Sequence, residues 1–292
     1  MVPATATASG RLDAQSPEYL DIDGRRVAYA TYGDPEGRPV VFCHGTPGSR
    51  LLARLLDAPA TRRGVRVLAA DRPGVGESDP ASVGIDEWPG DAAALLDHLD
   101  VEQASVLGFS GGSPFALACH RLDSVRGVTL VSGAGPPGVG ETGRTQRLLG
   151  WLSRTAPWLA APLFGLQRRA LARGDPDDAL ALVADGRPET DALSADEVAR
   201  LVKADVLEAT AGGPSGVVRE LGLLSSPWPI ALDSVSVPVT VFHGRYDTNA
   251  GSETGEALVR RLPDATLERV DSDHLGTLCV AAPRALSGPT PV

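Results

Sequence analysis

The sequence is poor in aromatic residues and in cysteine. Aromatic residues make up 4% of the chain, so leucine, valine and alanine must fill most of any hydrophobic core. The three cysteines, Cys43, Cys119 and Cys279, are odd in number and widely spaced, and no C-x-x-C pair occurs. This pattern favours neither a disulfide framework nor a zinc site. We therefore expect three apolar, packed cysteines and no bound metal.

Long basic stretches and long apolar stretches are also missing. The formal net charge is −10, and basic residues come as short pairs such as Arg62-Arg63. Phosphate backbones would be repelled on average, so nucleic acid is not an expected partner. No stretch approaches the roughly 20 apolar residues of a membrane-spanning helix, and the first ten residues lack the pattern of a secretion signal. These absences predict a cytoplasmic protein without a membrane partner.

Strand and helix patterns divide the 292 residues into four parts. Residues 1–17 are small and polar and predict a disordered tail. Strand-type apolar runs alternate with helical patterns over 18–133 and again over 231–286, which predicts the α/β class with right-handed crossovers and a mainly parallel sheet flanked by helices. Residues 134–230 contain helical stretches broken by glycine and proline and no comparable strand. They predict a helical cap inserted into the α/β core.

Residues 108–112 (GFSGG) fit the G-x-S-x-G nucleophile elbow, in which a serine stands on a strained turn from strand to helix. The pentapeptide alone is a weak signal in a chain with 33 glycines, and a glycine-rich turn with a helix-capping serine is the alternative. The buried-strand pattern before it and the helical pattern after it favour the elbow. Ser110 is thus the predicted nucleophile, and Phe109 beside it a candidate substrate contact.

Residues 41–48 (VFCHGTPG) form a strand pattern that ends in a tight loop. Such a loop can direct a backbone N–H at a developing oxyanion, and we assign the amides of Thr46 and Gly111 to that role. His44 opens this loop. We expect its imidazole to order the loop and to contact substrate, and it is an alternative to His274 as the base.

A second glycine-rich loop, residues 71–79 (DRPGVGESD), also follows a strand pattern. Its place at the carboxyl edge of the predicted sheet is where α/β proteins hold their sites. Its charges are expected to fix the loop geometry rather than to react. The glycine spacing is not that of a dinucleotide-binding motif, so no cofactor is expected.

A serine hydroxyl needs a base, and the base needs an orienting carboxylate. Of the five histidines, His98 and His120 lie on helical patterns and His243 closes a strand. His274 lies in a polar loop after the last predicted strand, where a base can be presented from the sheet edge. His274 is therefore the predicted base.

Asp247 follows the penultimate predicted strand and is the predicted carboxylate. The resulting chain order of serine, aspartate and histidine matches the order found in one large class of α/β enzymes. Asp271 and Asp273 flank the predicted base in sequence, but near neighbours in a loop rarely point at one ring. Asp233, where the predicted cap ends, is a further alternative.

Five motifs in order, HGTPGSR, DRPGVGESD, GFSGGSPFALA, HGRYD and DHLGTL, are similar to those of the α/β-hydrolase fold family. The resemblance covers roughly residues 18–285 without most of the predicted cap. It implies an eight-stranded sheet, a cap between strands six and seven, and ester, thioester, amide or epoxide chemistry without a cofactor. Because the nucleophile position holds serine rather than aspartate, carbonyl substrates are favoured over epoxides and haloalkanes.

Three functions fit these observations. The first is a serine hydrolase that forms an acyl-enzyme on a small-molecule or peptide substrate, in bacterial secondary metabolism if the Ala/Arg/Gly/Pro-rich composition reflects a high-GC source. The second is a non-hydrolytic enzyme of the same fold, an epimerase, isomerase or cyclase, with a weaker, motif-free resemblance to the peptide epimerase of the bottromycin pathway. The third is a binding protein that retains the fold as a receptor.

Aromatic residues of the predicted cap are candidates for an apolar substrate pocket. Trp151, Trp158 and Phe164 lie in its helical stretches. Core packing of the cap is the alternative for all three, because aromatic residues at such spacings usually pack inside a helical unit. The sequence predicts neither the oligomeric state nor the substrate.

Overall fold

The computed structural model describes residues 16–140 and 143–288, so nearly all of the predicted tail lies outside the described residues. Within those residues, eight strands form one sheet in the order β1-β2-β4-β3-β5-β6-β7-β8. Pairs β1–β2 and β2–β4 are antiparallel and the other five pairs are parallel, which confirms the predicted mainly parallel sheet. The strands are Glu18–Ile22 (β1), Arg25–Gly33 (β2), Arg38–Cys43 (β3), Val65–Ala70 (β4), Ala104–Phe109 (β5), Val125–Val131 (β6), Val239–Gly244 (β7) and Ala265–Val270 (β8).

Ten α-helices occur in the part of the chain that the structure describes. They are Asp57–Arg62 (α1), Trp88–His98 (α2), Ser113–Ala118 (α3), Arg144–Thr155 (α4), Pro157–Arg173 (α5), Pro176–Leu180 (α6), Ala195–Ala209 (α7), Ser215–Leu224 (α8), Thr254–Val259 (α9) and His274–Ala285 (α10). No helix among residues 16–140 and 143–288 combines the length and the apolar character needed to cross a membrane.

Helices cover both faces of the sheet because the central strands are apolar on both sides. Successive side chains of a strand point to opposite faces. Phe42 therefore packs in one core cluster with Leu278 of α10, while its neighbour Val41 packs in the other with Leu95 of α2. Two buried faces explain the nearly continuous apolar runs of β3, β4 and β5.

Residues 50–63, whose leucines have helical spacing, form two consecutive helical stretches. A 3₁₀-helix runs over Arg50–Leu56 and continues into α1. Pro59 is the third residue of α1, where its missing N–H has no intrahelical acceptor to lose. The proline therefore lies in the first turn of a second helix instead of ending the first.

Helices α4 to α8 occupy the stretch between β6 and β7. Helix α7 packs against the 3₁₀-helix at residues 50–56, and α4 and α5 both pack against α8. We call α7 and α8 the inner pair and α4 and α5 the outer pair. A small cluster of buried residues, including Val75, Phe164 and Val217, joins the two pairs to the loop after β4.

Candidate active site

Ser110 lies where β5 turns into the helical segment that contains α3. Its φ of +51° is in the left-handed region, which non-glycine residues rarely adopt, and its side chain is half-buried. A Cβ on Gly112 would lie 2.0 Å from the carbonyl oxygen of Cys43, and one on Gly108 would lie 2.7 Å from the Cβ of Ala116. The glycines therefore permit a turn that side chains would block, and this turn leaves the Ser110 hydroxyl at the carboxyl edge of the sheet.

His274 is the first residue of α10, and its ring lies between the serine and an aspartate. Its Nε2 is 2.9 Å from Oγ of Ser110, and its Nδ1 is 2.8 Å from Oδ2 of Asp247. The ring of Phe109 packs against it with centroids 5.1 Å apart, and the Ser132 hydroxyl donates to the His274 carbonyl at 2.8 Å. The structure thus brings the three predicted catalytic residues together from three separate segments.

Asp247 lies in the loop after β7, held in an ionised, acceptor-only arrangement. Its Oδ1 accepts from the amides of Asn249 at 3.0 Å and Ala250 at 2.9 Å. Burial alone would raise the pKa of this carboxyl, but the hydrogen bond and charge of His274 and the Ala250 amide outweigh it, so the pKa lies below its usual value. A charged carboxylate here fixes the imidazole orientation.

The alternative carboxylates lie elsewhere. Asp273 is the N-cap of α10, where its Oδ1 accepts from the Gly276 amide at 2.7 Å. Its Oδ2 accepts from the amide of Asp185 at 2.9 Å. Asp271 and Asp233 are exposed. Of the four candidates, Asp247 is the one whose carboxylate contacts the imidazole of residue 274.

The loop after β3 approaches the serine turn closely. A Cβ on Gly111 would lie 2.8 Å from Oγ1 of Thr46 and 2.9 Å from Cδ1 of Leu224. A Cβ on Gly45 would lie 3.4 Å from that of Ser110. The peptide groups of Thr46 and Gly111, the two predicted oxyanion donors, therefore flank the serine with Leu224 of α8 beside them. The Thr46–Pro47 peptide bond is cis.

A buried ion pair holds this loop, and sequence reasoning missed half of it. Nε of Arg72 donates to Oε1 of Glu220 at 2.5 Å, and both side chains are about 1% exposed. The Arg72 guanidinium also donates to the carbonyl oxygens of His44 at 2.8 Å and Gly45 at 3.2 Å. The Thr46 hydroxyl donates to Glu220 at 2.7 Å. The charge at Arg72 therefore fixes the geometry of the loop after β3. Its partner Glu220 comes from α8, where no sequence motif marks it.

His44 is fully buried, which corrects its predicted roles as a substrate contact and as an alternative base. Its Nδ1 donates to the Gly45 carbonyl at 2.8 Å, and its Nε2 accepts from the Arg72 amide at 3.4 Å. Burial, reinforced by the Arg72 charge, lowers the pKa of its imidazole to about 3. A neutral ring with both nitrogens bonded orders the loop, and it has no free surface for a ligand.

A second carboxylate of the inner pair anchors the next segment. Asp205 of α7 accepts from the amide of Ser49 at 2.8 Å, from its hydroxyl at 2.7 Å and from the Leu52 amide at 3.2 Å. Burial outweighs these hydrogen bonds and raises the pKa of Asp205 to about 7. Beside it, Arg50 forms a buried ion pair with Asp71. The inner pair is therefore bonded to the loop that carries the Thr46 amide.

The predicted aromatic substrate contacts take other positions. Trp151 and Trp158 are exposed on α4 and α5, and Phe164 is buried among Ala160, Val217 and Val218. Phe109 is buried against His274 and supports the ring from below. The two tryptophans therefore neither line a closed pocket nor pack in the cap core, and the sequence pattern alone does not reveal which face of a helix is turned outward.

A surface depression of about 370 Å³ lies between the outer pair and α8. Its lining includes Pro157, Ala161, Val218 and Leu223 but none of the three triad residues. On α8, Val218 lies about 160° around the helix from Glu220, because a helix turns 100° per residue. The depression is thus separate from the serine.

Within 16–140 and 143–288, no group of three or more His, Cys, Asp or Glu side chains is placed to hold a metal ion. All three cysteines are free and buried, as predicted. The arrangement offers a hydroxyl, an imidazole, a carboxylate and backbone amides, which together suit acyl transfer.

The sequence was compared with protein-family models and with known proteins. The family described as alpha/beta hydrolase fold matches residues 38–278. The chain is 34% identical over 142 residues to the dihydrolipoyllysine-residue acetyltransferase component of the acetoin cleaving system of Pseudomonas putida, covering 47% of this chain and 37% of that protein. It is 37% identical over 125 residues to a non-heme chloroperoxidase of Streptomyces lividans, covering 39% of this chain and 43% of the relative.

Among solved structures, an esterase from Rhodococcus superposes with a TM-score of 0.63 at 24% identity, over 94% of this chain and 96% of that one. A likeness at this identity shows the fold alone. The chain spans less than half the length of the first curated relatives it matches. The fold extends over nearly the whole chain, whereas close sequence similarity is limited to part of it.

Proposed function

The chain belongs to the alpha/beta-hydrolase fold family, and from this we propose that it is a serine hydrolase of esterase type with Ser110 as nucleophile, His274 as base and Asp247 as orienting acid. The observation that carries the proposal is the continuous hydrogen-bonded series from Oγ of Ser110 through His274 to Asp247, at 2.9 Å and 2.8 Å. A structural serine would not need a buried imidazole–carboxylate pair behind it.

The proposed reaction forms and hydrolyses an acyl-enzyme. Oγ of Ser110 attacks the substrate carbonyl carbon while Nε2 of His274 takes its proton. Asp247 stabilises the resulting imidazolium. The tetrahedral intermediate collapses, the carbonyl–leaving-group bond breaks, and His274 returns the proton to the leaving group. Water, activated by the same imidazole, then attacks the acyl carbon and releases the acid and free Ser110.

The amides of Thr46 and Gly111 are the proposed oxyanion donors. Each such donor typically contributes about 2.7–4 kcal/mol to lowering the barrier. The donors are useful only if they do not move during the reaction, and the Arg72–Glu220 pair bonds the loop that carries one of them. We propose positioning roles for Arg72 and Glu220, since neither touches the reacting atoms.

The stretch 134–230 is the proposed cap. Helix α8 brings Leu224 beside Gly111, so a substrate held at the proposed oxyanion amides would contact this leucine. The substrates that fit are esters, thioesters or amides, whose carbonyl carbon accepts the serine. The relatives include an acetyltransferase component and a chloroperoxidase, so family membership leaves the substrate open. Secondary metabolism of a high-GC bacterium remains a proposal from composition.

No specific feature of the site favours the non-hydrolytic or receptor alternatives. An epimerase or a receptor would need neither a serine bonded to an imidazole nor a buried carboxylate behind it. Deuterium uptake at a peptide Cα without net gain or loss of water would identify an epimerase.

The test uses p-nitrophenyl acetate hydrolysis together with a fluorophosphonate probe and peptide mapping. We expect Ser110→Ala to lower kcat by about 10⁶-fold, to the detection limit, because the acyl-enzyme no longer forms. The probe should label Ser110 in the wild type. Ser113→Ala is the matched control, because this serine is three residues away and its buried hydroxyl has no hydrogen-bond partner. Equal turnover by Ser110→Ala and wild type would overturn the mechanism.

A further inference from the structure

The outer pair exposes large apolar side chains along both of its helices. Trp158 is 70% exposed, Leu166 64% and Leu148 62%. We use the name outer patch for the six exposed apolar residues of α4 and α5, which are Leu148, Trp151, Trp158, Leu159, Leu163 and Leu166. Single exposed leucines are common on proteins, but a contiguous exposed apolar patch marks a surface that contacts something else.

The spacing of five of these residues places them on one face of each helix, and Trp158 is exposed at the beginning of α5. Leu159, Leu163 and Leu166 follow the i, i+4, i+7 pattern of a single helical stripe, and Leu148 and Trp151 are three apart on α4. The opposite faces hold the packed residues, such as Ala160 and Phe164 of α5. Both helices pack against α8, so their apolar stripes face away from the core.

The same two helices carry several arginines and no carboxylate. Residues 144–173 contain no aspartate or glutamate and six arginines: Arg144, Arg147, Arg154, Arg168, Arg169 and Arg173. None of the six forms an ion pair with a carboxylate among the described residues, and the two helices themselves contain no acidic side chain that could supply one. In a chain with a formal charge of −10, this is a local concentration of unneutralised positive charge.

Arginines continue the apolar stripes. Arg169 and Arg173 lie three and seven residues after Leu166, and Arg144 lies one turn before Leu148. A ligand that covers the apolar side chains is therefore also within reach of guanidinium groups. The ligand should thus have an apolar interior that the leucine and tryptophan side chains can enter, and anionic groups on its surface for the arginines.

From this combination we propose that the outer patch docks on the surface of a bilayer that contains anionic phospholipids. Tryptophan and leucine side chains would enter the boundary between headgroups and acyl chains, and the arginines would extend to the lipid phosphates. The contact is peripheral. The sequence predicts no membrane partner because it lacks an apolar run long enough to span a bilayer. That argument covers spanning helices only, and the proposed surface contact revises it.

A second copy of the chain is a poorer occupant. A symmetric contact places the same patch on both subunits, which would bring both sets of unpaired arginines together. Like charges at such an interface cost several kcal/mol. An anionic lipid surface instead supplies the opposite charge for every guanidinium group.

The test is flotation with vesicles of phosphatidylcholine alone and with added phosphatidylglycerol, without substrate. We expect the wild type to float only with the anionic vesicles and to be released by salt, since each arginine near such a surface strengthens binding about fivefold. Tryptophan emission, to which the exposed Trp151 and Trp158 both contribute, should shift to the blue on binding. Leu163→Ser/Leu166→Ser should lower the partition coefficient at least about tenfold, because two leucines are no longer buried.

Matched controls lie outside the patch. Val280 is 57% exposed on α10, and Arg126 is exposed on β6. Val280→Ser and Arg126→Gln should bind the anionic vesicles like the wild type. Arg147→Gln/Arg169→Gln should bind them less. Thermal unfolding checks that each variant is folded. No flotation with anionic vesicles at low salt, equal loss in patch and control variants, or a dimer that Leu163→Ser/Leu166→Ser dissociates would overturn the proposal.

Discussion

The inner and outer pairs of helices belong to the same stretch of chain, yet they satisfy their charges in opposite ways. The inner pair sends two buried carboxylates, Asp205 and Glu220, into the loops after β3 and β4, where amides, hydroxyls and a guanidinium bind them. The outer pair presents six arginines without an ion pair among the described residues, and an exposed apolar stripe. The two buried carboxylates of the inner pair find their partners within the chain, whereas the six arginines of the outer pair have no carboxylate partner among the described residues.

This difference indicates a division of labour. Buried polar groups must be bonded, and once bonded they hold neighbouring segments in one arrangement. Asp205 and Glu220 therefore tie the inner pair to the proposed oxyanion loop. Exposed apolar groups and cations without an ion pair contribute little to the stability of the fold. The exposed side chains of the outer pair are therefore available for the proposed contact with lipid.

Glu220→Gln tests the inner pair most severely and has the largest expected effect. The amide keeps the shape of the side chain but leaves Arg72 buried without its counter-charge, which typically costs about 3–5 kcal/mol of unfolding free energy. Urea unfolding measures the loss. The exposed Glu189→Gln is the control and should change stability by no more than about 0.5 kcal/mol. Equal stability of wild type and Glu220→Gln would show that the pair does not anchor the loop.

Asp205→Asn tests the second anchor through the pH dependence of the free energy of unfolding. The folded pKa of Asp205, about 7, lies above its unfolded value, so the folded state binds more protons than the unfolded state. The free energy of unfolding should therefore fall as pH rises from about 4 to about 7, by a few kcal/mol at most. Asp205→Asn should reduce the total fall between about pH 4 and about pH 7 by a few kcal/mol, since one pKa unit corresponds to about 1.36 kcal/mol.

Asp71 supplies an internal reference for that experiment. Burial raises its pKa to about 6, so it adds a slope of the same sign that the Asp205→Asn variant retains. Chemical unfolding at several pH values resolves the two contributions. A variant with the unchanged wild-type slope would show that Asp205 does not titrate in this range.

Leu159→Ser should have the smallest effect and would sharpen the contrast. This leucine of the outer pair is 54% exposed, so we expect a change within about 0.5 kcal/mol. Leu201→Ser in the inner pair removes a side chain that is 5% exposed and should cost about 2–5 kcal/mol. Thermal and urea unfolding compare them. Similar losses in both variants would mean that the outer stripe is packed within the chain.

The geometry of the proposed triad was the most predictable part of the molecule. Ser110 could be identified because G-x-S-x-G reports a local backbone demand, and glycines at 108 and 112 meet it within five residues. Asp247 and His274 followed from chain order and from their positions just after strands. Parallel strands bring the residues after them to one edge, so the prediction needed strand order but no knowledge of side-chain packing.

The supporting residues were not predictable in the same way. Glu220 and Asp205 lie on amphipathic helices, where a carboxylate normally faces water, and their burial follows from how α7 and α8 sit on the core. For the same reason the sequence suggested His44, Trp151 and Trp158 as substrate contacts. The structure buries the first and turns the other two outward.

Local chain properties determined the strands and the strained turn at Ser110, because backbone sterics and apolar periodicity act over a few residues. The order of the strands along the chain then suggested Asp247 and His274 as its partners. The tertiary structure alone decided which carboxylates are buried, which histidine is sealed from substrate and which helix face remains exposed. Those outcomes depend on the packing of segments more than a hundred residues apart, such as Thr46 with Glu220, and no short pattern encodes it.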